Sequence, residues 1–242
     1  MAFETELKLA IAAQDVPALL AHPLLAAEPS KRQRLVNTYF DTPKRTLLAR
    51  RIAVRERRVG RQTLLTVKTA GTVIGGLARR GEWEAPTTPG HFDFAALVDD
   101  TALADALQAL AGTLVPVFTT DFTRRSWQLS YRKAQIEVAL DRGRIHATTR
   151  DGPRSQPLLE LELELKQGPA DALFSLARQL GHSVHLRPVT ASKAERGYTL
   201  FQGRRAKPVK AETLALPSAV DPVEAFRRVA LACLAQLQAN EA

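Results

Sequence analysis

LLELELELKQG, residues 158–168, is the stretch that decides the fold. Leu159, Leu161, Leu163 and Leu165 alternate there with Glu160, Glu162, Glu164 and Lys166. A helix would scatter these residues around its circumference, whereas a strand sends successive side chains to opposite faces. One face is then all leucine, and the other carries three carboxylates ending in a lysine. Same-face neighbours on a strand lie only about 7 Å apart, so the carboxylates repel one another.

The same alternation recurs along the chain. FETELKLAI (3–11) sets Phe3, Thr5, Leu7 and Leu9 against Glu4, Glu6 and Lys8. RLVNTYFDT (34–42) is rich in strand formers and stops at Pro43. RRIAVRERRVGRQTLLTVKTAG (50–71) reads as a hairpin turning at Gly60, with Arg51, Arg55 and Arg57 sharing one face and Lys68 on the return. RRGEWEAP (79–86) keeps Arg80, Glu82 and Glu84 in phase. Residues 91–111 have apolar residues at helical spacing and predict a helical interruption. Strands resume over 115–130 and 131–150, the latter with a turn expected at Asp141 to Gly143. Residues 170–181 predict a helix stopped by Gly181, and 190–203 a helix capped by Ser192. Eight or nine antiparallel strands before residue 167 predict a mainly β, α+β fold, either a sandwich or a barrel.

The chain has 242 residues and a formal charge of +9, which favours an anionic partner. A lone cysteine, Cys233, excludes an intramolecular disulfide and a cysteine-built metal site. The N-terminus lacks the apolar core of a secretory signal, and no apolar run is long enough to span a membrane. A cytoplasmic protein is the expectation. After Gly203 the texture turns proline-rich, and 204–219 reads as a linker. Residues 220–242 then form an amphipathic helix whose apolar stripe (Val223, Phe226, Val229, Leu234, Leu237) wants a partner, as the start of a further helical domain would.

In a common antiparallel barrel the charged faces point outward. Here several strands carry like charges together: Glu4 with Glu6, Arg55 with Arg57, Glu82 with Glu84, Glu160 with Glu162. A face chosen for solubility would mix signs within a strand. Acids segregated on some strands and bases on others suggest a lumen in which bases hold an anion and acids a cation. An anion that needs both is a polyphosphate or nucleotide, and carboxylate oxygens suit Mg²⁺ or Mn²⁺.

At these residues the chain resembles the CYTH domain, the triphosphate tunnel metalloenzyme family. The E-x-E-x-K of Glu4, Glu6 and Lys8 stands at the N-terminus; YFDT (39–42), VRER (54–57), TVK (66–68), FTRRSW (122–127), IEVALDRG (136–143), ELELELK (160–166) and SKAERGY (192–198) follow in the family's order. The resemblance covers residues 1–203, and the tail resembles the opening helix of a CHAD domain. It implies an eight-stranded antiparallel closed β-barrel, or tunnel, with peripheral helices, which hydrolyses or rearranges triphosphates with Mg²⁺ or Mn²⁺.

It further implies site residues. Glu4 and Glu6 would bind metal with the late carboxylates, as Glu160/Glu162 or as Glu162/Glu164. Lys8, Arg55, Arg57, Lys68, Arg124 and Lys193 would hold phosphate oxygens, with Lys8 and Lys193 beside the chemistry. Arg187 and Asp141 are further members, although Asp141 reads equally well as a turn residue. Arg124 is preferred over Arg125 because it shares phase with Thr120 and Phe122. Inorganic triphosphate is the expected substrate; thiamine triphosphate, ATP and an RNA 5′-triphosphate are alternatives within the family. Outside it, the alternative is a binder that captures polyphosphate without hydrolysis. Trp83 and Trp127 lie out of phase with the charged faces, so nucleic acid is not the expected partner. Tyr39 reads as core, and Glu195 with Arg196 as a helix-surface pair.

Overall fold

The computed structural model describes residues 3–203 and 208–240. Its strands are β1 (Phe3–Ile11), β2 (Ser30–Asp41), β3 (Ala53–Val59), β4 (Gln62–Ile74), β5 (Leu77–Thr87), β6 (Val115–Tyr131), β7 (Ala134–Thr149), β8 (Gly152–Gln167) and β9 (Leu186–Pro188). They run in the order β5-β4-β3-β2-β6-β7-β8-β1-β9, and β5 also pairs with β1, so the first eight close into an antiparallel barrel. β1 is the closing strand. Its first half pairs with β5, its middle with β8 and its end with the short β9.

The helices are α1 (Val16–Leu20), α2 (Pro23–Ala26), α3 (Thr46–Ala49), α4 (Phe94–Leu97), α5 (Thr101–Gln108), α6 (Asp171–Leu180), α7 (Lys193–Gln202) and α8 (Pro222–Asn240). The leucine face of β8 points outward: Leu161 and Leu163 are buried against Leu173, Leu176 and Leu180 of α6. α4 and α5 cover Val54, Leu65, Val67 and Trp83 on the opposite wall. α7 instead closes one end of the barrel, where Tyr198 packs with Tyr39, Phe118, Phe122 and Ile145. Gly197 permits this approach, since a Cβ there would lie 2.0 Å from a ring carbon of Phe118.

Several expectations change. β7 runs straight through Asp141 to Gly143, and the turn falls at Arg132 and Lys133, both with positive φ. Gly143 serves a close approach instead, because a Cβ there would meet the Asp121 carbonyl of β6 at 2.1 Å. The single helix expected over 91–111 is split into α4 and α5, each with its own cap: Asp93 accepts from the Ala96 N–H and Asp100 from that of Leu103. Arg51 precedes β3 in a left-handed conformation and is exposed, so it does not share the face of Arg55 and Arg57. Ser192 caps α7 in a reciprocal capping box with Glu195. Residues 204–207 of the expected linker, and 241–242 of the expected last helix, lie outside the described residues. Among the described residues, no helix is long and apolar enough to cross a membrane.

Candidate functional site

Strand register brings the charged faces together. Glu6 lies opposite Glu164, and Lys8 opposite Glu162, across β1 and β8. Asp141 on β7 lies between Glu160 and Arg124. Arg55 and Arg57 on β3, Thr66 and Lys68 on β4, and Glu82 and Glu84 on β5 complete the inward face. Together they line a cavity of about 310 Å³ inside the barrel. Glu4, Glu6, Lys8, Arg55, Arg57, Lys68, Arg124, Glu162, Glu164 and Lys193 all border it. Arg187 sits on β9 opposite Ala10 and does not line this cavity.

The strand-by-strand segregation of charge becomes alternation across strands. Glu4 accepts from Lys68 at 2.8 Å and from Arg80 at 3.1 Å. Glu6 accepts from Arg80 at 2.6 Å. Arg55 and Arg57 lie 3.7 and 3.5 Å from Glu84, which also accepts a 2.6 Å bond from the Thr66 hydroxyl. Arg124 forks onto Asp141 with two bonds of 2.7 Å and reaches Glu162 at 2.5 Å. Arg125 points outward, stacked on Trp127. At the α7 end, Lys193 bonds Glu160, lies 2.9 Å from Glu162 and 2.7 Å from Asp141.

Burial opposes the charges of Lys8, Arg124, Glu160, Glu162 and Lys193, and the partners decide the outcome. It lowers the tendency of Lys8 to stay charged, yet Glu6, Glu162 and Glu160 outweigh it and raise the pKa. At Lys193, Asp141, Glu160 and Glu162 do the same. Burial prevails at Glu160, whose carboxyl is raised, whereas Lys193, Arg124 and Lys8 hold Glu162 well below the usual range. Glu164 is raised by burial, with Glu4 and Glu137 adding repulsion. Arg57 is pushed down to about 10 by burial and then by Arg55, so its charge is poorly compensated. The Nη2 of Arg55 is buried without a hydrogen-bond partner. A buried, unsatisfied guanidinium nitrogen costs free energy until an acceptor arrives.

The acids fit a divalent cation by donor chemistry, being hard carboxylate oxygens held at close quarters. Asp141, Glu160 and Glu162 offer ligand atoms within 4.8 Å of one another. That trio already surrounds the Lys193 ammonium, which takes the place a cation would have. At the other end of the cavity Glu4 and Glu6 share Arg80, Glu4 also takes Lys68, and Glu164 pairs with the exposed Lys166, so among the described residues no single cation is common to all three.

Sequence reasoning missed several lumen residues. Arg80, Glu82 and Glu84 were visible as one phase of a strand, but only register shows that Arg80 lies opposite Glu4. Glu137 and Lys166 also border the cavity. Tyr39 is core and lumen at once: its ring stacks on Phe118 at 4.5 Å while its hydroxyl accepts from Arg55 at 3.4 Å. Arg196 does not pair with Glu195; it reaches Glu160 at 3.2 Å and the Pro157 carbonyl at 2.7 Å. Asp141 is no turn residue but a fully buried ion-pair partner.

The sequence pattern that defines the CYTH domain matches residues 2–198. An inorganic triphosphatase of Haemophilus influenzae is 35% identical over 204 residues, which cover 81% of this chain and 54% of that protein. The chain therefore spans about half the length of this curated relative. A putative adenylyl cyclase from Hippeastrum, described as having a dominant triphosphatase activity, superposes with a TM-score of 0.60 at 17% identity, covering 84% of this chain and 97% of its own. The PH1819 protein of Pyrococcus horikoshii gives 0.53 at 19% identity, covering 83% and 99%. At those identities the two structures establish a common fold. With its closed eight-stranded barrel and its match over residues 2–198, the chain belongs to the CYTH domain family.

Proposed function

We propose that the barrel hydrolyses inorganic triphosphate to pyrophosphate and phosphate with the help of Mg²⁺ or Mn²⁺. The observation that carries this reading is a lumen rich in both signs of charge with cations left wanting an acceptor. Eight bases and seven acids border the cavity. Counting Arg196, Asp141 and Glu160 behind them makes the two signs equal. A neutral lumen cannot take up a polyanion on charge alone, so a divalent cation has to accompany the substrate.

In this reading Lys8, Arg55, Arg57, Lys68, Arg124 and Lys193 hold the phosphate oxygens. Arginine forks make paired contacts and lysines supply point charges. Arg55 Nη2 gains the hydrogen-bond acceptor it lacks, and Arg57, whose pKa burial and Arg55 depress, gains negative charge. Glu4, Glu6 and Glu164 would hold the metal, with Glu162 bordering it. The bound metal would withdraw charge from phosphate oxygens and make a nearby water more nucleophilic. Water attacks the terminal phosphorus, the bond to the bridging oxygen breaks with its electron pair going to pyrophosphate, and the proton lost by the water passes to the released phosphates. Catalysis by the chain itself is positioning and charge stabilisation. The name of the Haemophilus influenzae relative supports the choice of substrate. A reducing, cytoplasmic setting is supported by the free Cys233. The helix α8 reads as part of a CHAD-like module, supported by the exposure of its Phe226, Leu234 and Leu237.

The test is phosphate release from inorganic triphosphate and from ATP, with and without each metal, for the wild type and Glu6→Gln. Metal-dependent release that favours inorganic triphosphate and collapses in the variant is expected. Tight, metal-independent binding without release would leave an anion-capturing barrel in its place.

A further inference from the structure

The lumen is balanced, so it does not contain the chain's surplus of positive charge; the formal +9 has to lie elsewhere. A large share of it lies on the outer wall formed by β3, β2, β6 and β7. Arg32, Arg34, Arg58, Arg125, Arg142 and Arg144 are all at outward-facing positions there. Register places them side by side. Arg32 lies opposite Arg125. Arg34 and Arg142 flank Thr123 from either side, and Arg58 and Asp121 both face Val36, with Arg144 beyond Asp121. Of the acids on this face, Asp121 is held below its usual pKa first by its hydrogen bond to Arg34, with His146 and Arg58 contributing, and Glu56 accepts from the Gly90 N–H at 2.6 Å.

On β8, and on β3 to β5 beneath α4 and α5, the outer face is largely leucine and valine under helices. This wall has no such cover: Arg32, Arg34, Arg58, Arg142 and Arg144 are exposed. Three of the guanidinium groups are pre-positioned. Arg34 forks onto Asp121 at 2.9 and 2.6 Å, Arg125 is stacked on Trp127 and bonded to Ser30, and Arg144 donates to Ser155 at 2.6 Å. Among the described residues, the side chains of Arg32, Arg58 and Arg142 make no hydrogen bond or ion pair.

We propose that this wall is a docking surface for long-chain inorganic polyphosphate. Guanidinium forks match phosphate oxygens, and an uncovered sheet of arginines calls for an anion with many charges in a row. The wall is the convex outside of a barrel. A stiff nucleic-acid duplex, with a persistence length of about 150 base pairs, would touch it only along a line, whereas a flexible chain drapes over it. A single-stranded nucleic acid would want exposed aromatic platforms, and the wall's only tryptophan, Trp127, is buried under Arg125. A flexible phosphate polymer without bases fits best. This surface is separate from the lumen and does not depend on what the lumen hydrolyses.

The experiment measures binding of long-chain polyphosphate to the intact chain over a series of salt concentrations, with excess inorganic triphosphate present to occupy the lumen. Single-stranded RNA and duplex DNA are run alongside. The variant is Arg32→Ala/Arg58→Ala/Arg142→Ala, which removes three exposed side chains without breaking a hydrogen bond. Binding should weaken at least about tenfold and lose part of its salt dependence, while release of phosphate from inorganic triphosphate stays at the wild-type rate. Unchanged polyphosphate binding in the variant would overturn the proposal. So would tighter binding of RNA or DNA than of polyphosphate at equal phosphate concentration.

Discussion

The two ends of β8's acidic row make an instructive pair. Glu160 and Glu164 sit on one face of one strand, two alternations apart. Around Glu160 the structure is closed: Lys193 and Arg196 from α7 bond it, and the same lysine serves Asp141 and Glu162. Around Glu164 it is open, with Glu4 and Glu137 adding repulsion and, among the described residues, only the half-exposed Lys166 as an ion-pair partner. Identical side chains therefore hold the fold together at one end and leave charge to be satisfied from outside at the other. What separates the roles is the origin of the compensating cation.

The largest effect that would sharpen this contrast is expected from Lys193→Met. It strips the shared cation from three buried carboxylates, and breaking a buried pair from one side costs about 3–5 kcal/mol. Thermal melting should fall by roughly 10 °C or more. A melt near wild type would show that the closed end is not held by Lys193. Glu164→Gln should do the reverse. Burial and its acidic neighbours raise its pKa, so its charge works against folding, and neutralising it should leave the melt unchanged or higher. Metal-dependent phosphate release should nevertheless drop at least about tenfold, the range seen when a metal site loses a supporting group. A variant that melts early while keeping its activity would erase the distinction between the two ends.

A pH series probes the wall across the lumen. Burial raises the Glu82 and Glu84 carboxyls, but Lys68, Arg55 and Arg57 win and hold them below 4.5. Depressed carboxylates stabilise the fold above their unfolded pKa, and that contribution is lost as pH falls through the folded values. Denaturant midpoints should hence decline below about pH 4.5, and Glu82→Gln/Glu84→Gln should make the decline shallower. A steeper acid limb in the double variant would refute the assignment. The smallest effect is expected from Tyr198→Phe. Its hydroxyl donates to Asp41 at 2.8 Å, yet Asp41 keeps the backbone N–H groups of Thr42, Leu47 and Leu48. About 1 kcal/mol should be lost in a denaturant melt.

The period-two pattern made most of the strands, and the inward direction of their charges, legible in the sequence. Like charges in phase, as at Glu4 and Glu6, mark a face with a charged partner to meet, although the exposed Arg32 with Arg34 and Arg142 with Arg144 show that the same pattern also occurs on the outside. Contacts between strands far apart in the chain were not legible. Arg80 belongs to the site because β5 closes on β1, and no local pattern announces that pairing. Asp141 and Gly143 looked like a turn because Asp and Gly usually make one. Here a neighbouring backbone presses on Gly143, and its residue type carries no mark of which constraint applies. Nor did residue type show that Arg196 would turn inward to Glu160 rather than pair along its own helix.

The closing role of β1 bears on the order in which the molecule can be assembled. β1 precedes the other strands of the barrel in the chain, yet it pairs with β5 through residues 3–7 and with β8 through residues 6–10. Its second seam cannot form until more than half of the chain has followed. Until then it offers an unpaired edge, and contacts between distant segments are slow to form. The carboxylates of β7 and β8 arrive next, and their shared lysine arrives only with α7. In the growing chain, then, the acids of the closed end precede the lysine they share, and that end is complete only once α7 has docked.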